Sequence, residues 1–237
     1  MRSSIPAKLL PLIFAVTPVQ AQTQCELELV LAIDVSRSVN PTEFRLLQKG
    51  TADAFRSDDV IEIIGWLDGG LMVTVVEWSS ATQQKQVVPW RWLNSAASVA
   101  AFAAEVEDMR RAYRFDLTAP GNALVFSAGL LRDNAVNCRR QVIDIAGDGV
   151  KNTGVEALKV AAALTAEGIT INGLVIRGDR PDPLPFYRDE MAIGPLSFVE
   201  IADGFDDFPR AILKKLLREL PPSLSEAPTA NKPVQPL

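Results

Sequence analysis

The chain contains no histidine. That single absence removes Ser-His catalytic triads, histidine-ligated zinc and imidazole acid–base catalysis. Basic clustering is missing as well. Lys and Arg number 24 against 29 Asp and Glu, for a formal net charge of −5, and no Lys/Arg stripe runs along any segment. This balance argues against nucleic acid and against an anionic lipid surface as partners. No stretch beyond residue 21 is long and apolar enough to span a bilayer, so no membrane span is expected in the mature chain. Cysteine is scarce, with only Cys25 and Cys138.

Residues 1–21 read as an export signal. Arg2 and Lys8 supply the positive region, a short apolar stretch follows over 9–16, and Val19-Gln20-Ala21 suits cleavage before Gln22. Gln24, directly before Cys25, does not fit a lipoprotein signal. Loss of Arg2 and Lys8 takes the formal charge from −5 to −7. The expectation is a soluble protein exported to the periplasm or beyond. In such an oxidising compartment two cysteines pair by default, with two unpaired thiols as the alternative.

With 48% hydrophobic residues, 22–220 is expected to form one well-buried domain. Residues 221–237 are Pro-rich and expected to be disordered. Between these limits strands alternate with helices, the pattern of an α/β, doubly wound, mostly parallel sheet. Strands are expected over 28–34, 71–79, 86–93, 141–146, 169–176 and 198–202, with the second and third forming a hairpin. Helices are expected to start near Pro41 and Gly121 and to cover 95–113, 155–167 and 206–220. Residues 177–196, rich in Pro, Asp and Arg, are read as a long loop. Trp66, Trp78, Trp90 and Trp92 could make an exposed platform; for Trp78, core packing is the expectation.

The most informative segment is Leu-Val-Leu-Ala-Ile-Asp-Val-Ser-Arg-Ser at 29–38. An apolar strand ends there in Asp34, Ser36 and Ser38, a nest of hard oxygen donors suited to Mg2+, Mn2+ or Ca2+. Alone the triplet is weak, because Asp and Ser are common where strands enter turns. Thr118 stands ahead of a helix in Thr-Ala-Pro-Gly-Asn-Ala-Leu, and Asp148 follows an apolar strand in Ile-Ala-Gly-Asp-Gly.

Taken together, Asp34, Ser36, Ser38, Thr118 and Asp148 resemble the metal-ion-dependent adhesion site of the von Willebrand factor type A domain. The resemblance covers about residues 26–220. Val-Glu-Trp-Ser at 76–79, Val-Val-Pro-Trp at 87–90, Ile-Asp-Ile-Ala-Gly-Asp-Gly at 143–149 and Gly-Ile-Thr-Ile-Asn-Gly-Leu at 168–174 resemble an exported bacterial branch known as domain of unknown function 1194. The branch implies a fold and an exported compartment but no activity; the resemblance to the von Willebrand factor type A domain implies a sheet with one antiparallel edge strand and a divalent ion, Mg2+ or else Mn2+ or Ca2+, held by the five residues. It also implies an adhesion-type role in which a protein partner's acidic residue completes the coordination. Arg37 departs from the family pattern, where Gly is common, and puts a cation beside the ion.

In this fold the first and fourth strands are neighbours. Cys25 lies nine residues before Asp34 and Cys138 ten before Asp148. The topology thus strengthens a disulfide at the far edge of the sheet. Arg177-Gly178-Asp179 spells an integrin-recognition tripeptide, better explained by chance in a charged loop. Its position after a strand nonetheless makes Asp179, Asp182 and Glu190 candidates to reach back to the ion and gate the site. An enzyme is not expected: a metal-assisted hydrolase using Asp34 would lack a supporting carboxylate at Ser36 and an obvious catalytic lysine. A structural or assembly factor whose ion only stabilises the fold is a further alternative. Nothing in the sequence fixes the oligomeric state.

Overall fold

A computed structural model describes residues 24–114 and 116–221. The export-signal and Pro-rich-tail readings lie almost wholly outside these residues. Six strands form one sheet in the order β3-β2-β1-β4-β5-β6. They are β1 (Cys25–Asp34), β2 (Leu71–Trp78), β3 (Gln84–Leu93), β4 (Cys138–Gly147), β5 (Thr170–Ile176) and β6 (Val199–Ala202). All pairings are parallel except β2 with β3, the hairpin at one edge.

The expected fold class is therefore the observed one, and the reason lies in the strand composition. All ten residues of β1 are buried, without polar alternation, as a central parallel strand covered on both faces requires. Leu29, Leu31 and Ile33 face a core completed by Phe44, Leu47 and Phe55 of α1 (Pro41–Phe55), Phe102 of α3 (Ala96–Asp108), and Phe208 and Ile212 of α7 (Phe208–Glu219). Val30 and Ala32 face the other way. They meet Leu124, Ala128 and Leu131 of α4 (Pro120–Asp133) and Ala161 and Leu164 of α5 (Ala157–Ala166).

At four places the structure differs from the sequence expectation. Helix α2 (Asp58–Trp66) was not foreseen; it is nine residues long, buries only Val60 and Ile64, and lacks a side-chain N-cap bond. Strands β1 and β4 extend back to the two cysteines. Helix α3 stops at Asp108 rather than near Tyr113, because Met109 turns extended and residues 109–114 are held by bonds to other segments. Finally, 177–196 is only partly a loop. It holds a short helix α6 (Leu184–Phe186) and a π-helical turn (Tyr187–Met191) whose Tyr187 and Met191 fill the second core. Of the tryptophans, Trp78 is fully buried, Trp90 is half-buried, and Trp92 and Trp66 are exposed.

At the end of the sheet where the strands begin, Cys25 and Cys138 sit in register on β1 and β4 and form a disulfide, with Cα atoms 4.4 Å apart. The opposite end, where the parallel strands finish, is the usual place for a ligand in an open α/β sheet. Asp34 is the last residue of β1, and Asp148 follows the last residue of β4.

Candidate metal centre

The apolar register of β1 pins Asp34 at the sheet edge, where its carboxyl group is 1% exposed. Its Oδ1 accepts the Ser36 backbone N–H at 2.7 Å, closing the turn immediately after the strand. The turn then directs the hydroxyls of Ser36 and Ser38 to within 3.3 Å of each other. Ser38 Oγ donates to Asp148 Oδ1 at 2.8 Å, so the ends of β1 and β4 are tied together. Thr118 arrives from the segment before α4 and is also buried. Its N–H donates to Asn152 Oδ1 at 2.8 Å, its carbonyl accepts the Asn152 N–H at 3.0 Å, and Asn152 Nδ2 lies 3.5 Å from its Oγ1. One cleft of about 510 Å³ is lined by Ser38, Thr118, Gly149 and Arg37.

The structure thus gathers Asp34, Ser36, Ser38 and Asp148 into one bonded cluster and sets Thr118 beside it. Electrostatically the cluster is short of positive charge. Burial, reinforced by the Asp148 charge, pushes Asp34 up to about 8. Burial, opposed by the Ser38 hydrogen bond and reinforced by Asp179, pushes Asp148 up to about 6. Asp34 Oδ2 is buried with no hydrogen-bond partner among the described residues. Two buried carboxylates with three hydroxyls, one carboxylate oxygen unsatisfied, fit a hard divalent cation. Among the described residues no group of three or more His, Cys, Asp or Glu could hold an ion. A cation here would depend on the hydroxyls, which leave it electrophilic.

The remaining candidates separate. Arg37 is exposed, its N–H donating to the Asp116 carbonyl at 3.0 Å, and it lines the 510 Å³ cleft together with Asp179. Asp179 also lines a second cleft of about 440 Å³ with Ser38, Asp148 and Glu43. Asp182 is bound elsewhere: its Oδ2 pairs with Arg177 at 2.7 Å, and its Oδ1 accepts the Leu184 N–H at 3.1 Å. Glu190 belongs to the π-helical turn and lines neither cleft.

Sequence reading missed three supports. Arg111, assigned to a helix, instead donates through Nη2 to the carbonyls of Val35 at 2.8 Å and Ser36 at 3.0 Å, clamping the motif turn. Asn152 fixes Thr118. Tyr187 lies behind Asp34, hidden in what was read as a loop. None carries a sequence signal of its own, since each acts across a long separation from an irregular segment.

The doubly wound sheet, with its one antiparallel edge strand, has the fold of the von Willebrand factor type A domain. Within that class the chain belongs to the family described as Protein of unknown function (DUF1194), which it matches over residues 24–224. No curated protein matches it. Solved structures of similar fold include proximal thread matrix protein 1 from the mussel byssus with a zinc-occupied MIDAS motif, at 15% identity and TM-score 0.59, covering 81% of this chain and 45% of that one. A von Willebrand factor type A protein from Catenulispora acidiphila matches at 19% identity and TM-score 0.58, covering 81% of this chain and 42% of that one. The PilB minor pilin from Streptococcus sanguinis follows at 13% identity and TM-score 0.61, covering 88% and 65%. The chain spans less than two thirds of each of these proteins.

Proposed function

We propose that this protein is an exported interaction module that binds a divalent cation through Asp34, Ser36, Ser38, Thr118 and Asp148, and through that cation the acidic group of a protein partner. The observation that carries the reading is the pair of buried carboxylates, Asp34 accepting the Ser36 N–H and Asp148 the Ser38 hydroxyl, with the two serine hydroxyls in contact and Asp34 Oδ2 unsatisfied. Burial of two like charges without a counter-ion is costly, and a hard cation removes that cost. Neutral hydroxyls would leave the ion with unspent charge for an incoming carboxylate. Mg2+ suits the donor set, as do Mn2+ and Ca2+. A relative of similar fold has zinc in its MIDAS motif, and another is a minor pilin, which supports the metal and the adhesive role by analogy of fold. Export is supported by the disulfide, which persists in oxidising compartments. Asp179 and Arg37, in the flanking clefts, are the residues placed to gate the site or to touch the partner.

A hydrolase reading draws less support. The carboxyl group of Asp34 is buried, and Lys215, the one fully buried lysine among the described residues, is engaged by Asp144 and Glu219 inside the α7 core rather than at the strand ends. The test is selection of a displayed peptide library on the immobilised, Mn2+-loaded chain. The expected enrichment is for peptides carrying Asp or Glu, released by EDTA and not retained by Asp34→Ala. Enrichment of peptides without a carboxylate, or retention that survives EDTA, would contradict the proposal.

A further inference from the structure

Tyr187 is fully buried, and its hydroxyl has no hydrogen-bond partner among the described residues. A buried unpaired hydroxyl is costly, so its surroundings need an explanation. It points across Gly147, the last residue of β4. A Cβ on that glycine would collide with the Tyr187 hydroxyl and lie 2.9 Å from Asp34 Oδ2 and 3.0 Å from Asp34 Cβ. The missing side chain at Gly147 therefore leaves the Tyr187 hydroxyl and Asp34 Oδ2 facing the same small space. Asp34 Oδ2, bordering the same point, is likewise buried without a hydrogen-bond partner among the described residues.

The backbone holds the ring there by an uncommon device. The Ala192 N–H donates to the Tyr187 carbonyl at 2.8 Å, closing the five-residue π-helical turn Tyr187–Met191. Such turns are rare and occur often at functional sites. The ring is backed by a second close approach, since a Cβ on Gly173 would sit 3.1 Å from Tyr187 Cδ1. A phenol keeps its proton near neutral pH, so toward a carboxylate the hydroxyl can serve only as donor.

We propose that the Tyr187 hydroxyl donates to Asp34 Oδ2 and so holds that carboxylate in the orientation the cation requires, which makes Tyr187 a positioning residue of the metal site. The proposal rests on the divalent-cation reading above. With Oδ1 held by the Ser36 N–H, a small shift of the hydroxyl onto Oδ2 would fix both oxygens and the plane of the carboxylate. A carboxylate oxygen has capacity for two partners, so accepting this hydrogen bond still leaves Oδ2 able to face an ion or its bound water. Outer hydrogen-bond partners of metal ligands typically matter by about 10–100-fold in affinity.

The test uses Tyr187→Phe, which keeps the ring and removes only the hydroxyl. Calorimetric titration of the chelator-stripped chain with Mn2+ is expected to give a Kd about 10–100-fold weaker than wild type. In parallel, melting temperatures in EDTA are compared for wild type, Tyr187→Phe, Asp34→Ala and the double variant. Tyr187→Phe should lower the melting temperature in the wild-type background and leave it unchanged beside Asp34→Ala. Equal losses in both backgrounds, or an unchanged Mn2+ affinity, would overturn the proposal. If the wild type bound no Mn2+, the cation reading and the metal role of Tyr187 would both fall, while the melting cycle alone would still report whether the two residues are paired.

Discussion

The Ser38 hydroxyl donates to Asp148 Oδ1 over 2.8 Å, joining two residues 110 positions apart in the chain. Because β1 and β4 are adjacent, this bond needs no long excursion of either segment. It preassembles two of the five proposed ligands. Ser38→Ala removes both a ligand and the bond that orients Asp148. Mg2+ and Mn2+ affinity is expected to fall by roughly tenfold or more. In chelator the melting temperature should change little, since Ser38 is exposed. Paired titrations and melts check both halves.

The two buried carboxylates set a pH dependence with a definite sign. Both Asp34 and Asp148 have an ordinary value of 3.8 and are pushed up, to about 8 and about 6. Between these limits the folded chain holds protons that the unfolded chain has released. Metal-free stability from this source is therefore fully present below 3.8 and is lost as pH rises through about 6 and then about 8. A cation competes with those protons, so its stabilising effect should grow over the same interval. Melts in EDTA and in Mg2+ at increasing pH are expected to diverge; parallel curves would contradict the electrostatics.

The disulfide closes a separation of 113 residues. In the chain-entropy account a loop of that size contributes roughly 4–5 kcal/mol, an upper estimate because denatured chains retain structure. Replacing both cysteines with serine should lower the denaturant midpoint accordingly. The bond lies at the opposite end of the sheet from Asp34, so cation affinity of the folded variant should be unchanged.

Arg111 holds the motif turn through the Val35 and Ser36 carbonyls, and its Nε donates to the Tyr113 carbonyl at 2.8 Å. Arg111→Ala leaves these acceptors unpaired and removes a cation near Glu77, which burial already pushes up to about 7. A loss of about 1–3 kcal/mol in stability is expected from denaturant unfolding. Cation affinity should fall with it, although Arg111 touches no ion.

The parts of this protein that were legible in its sequence are those fixed by strand ends. The apolar runs before Asp34 and before Asp148 mark where β1 and β4 stop, and stopping points in a parallel sheet share one edge. Equal run-back from those ends brought Cys25 and Cys138 together, and their register is the observed one. Thr118, Asn152, Arg111 and Tyr187 sit instead in irregular chain. Only Thr118 could be singled out, through its family pattern. Arg111 was drawn into a helix because the Ala-rich run has no breaker, whereas the structure ends α3 to satisfy carbonyls of the motif turn. The π-helical turn was illegible because Pro and Asp around it signal a loop, and its order comes from Tyr187 and Met191 entering the second core.

The most direct test of the central claim is calorimetric titration of the mature, chelator-stripped chain with Mg2+, Mn2+ and Ca2+, beside Asp34→Ala. The account predicts one ion bound per chain for at least one of the three, with binding abolished in the variant. Absence of binding by the wild type with all three ions, or equal binding by Asp34→Ala, would contradict it.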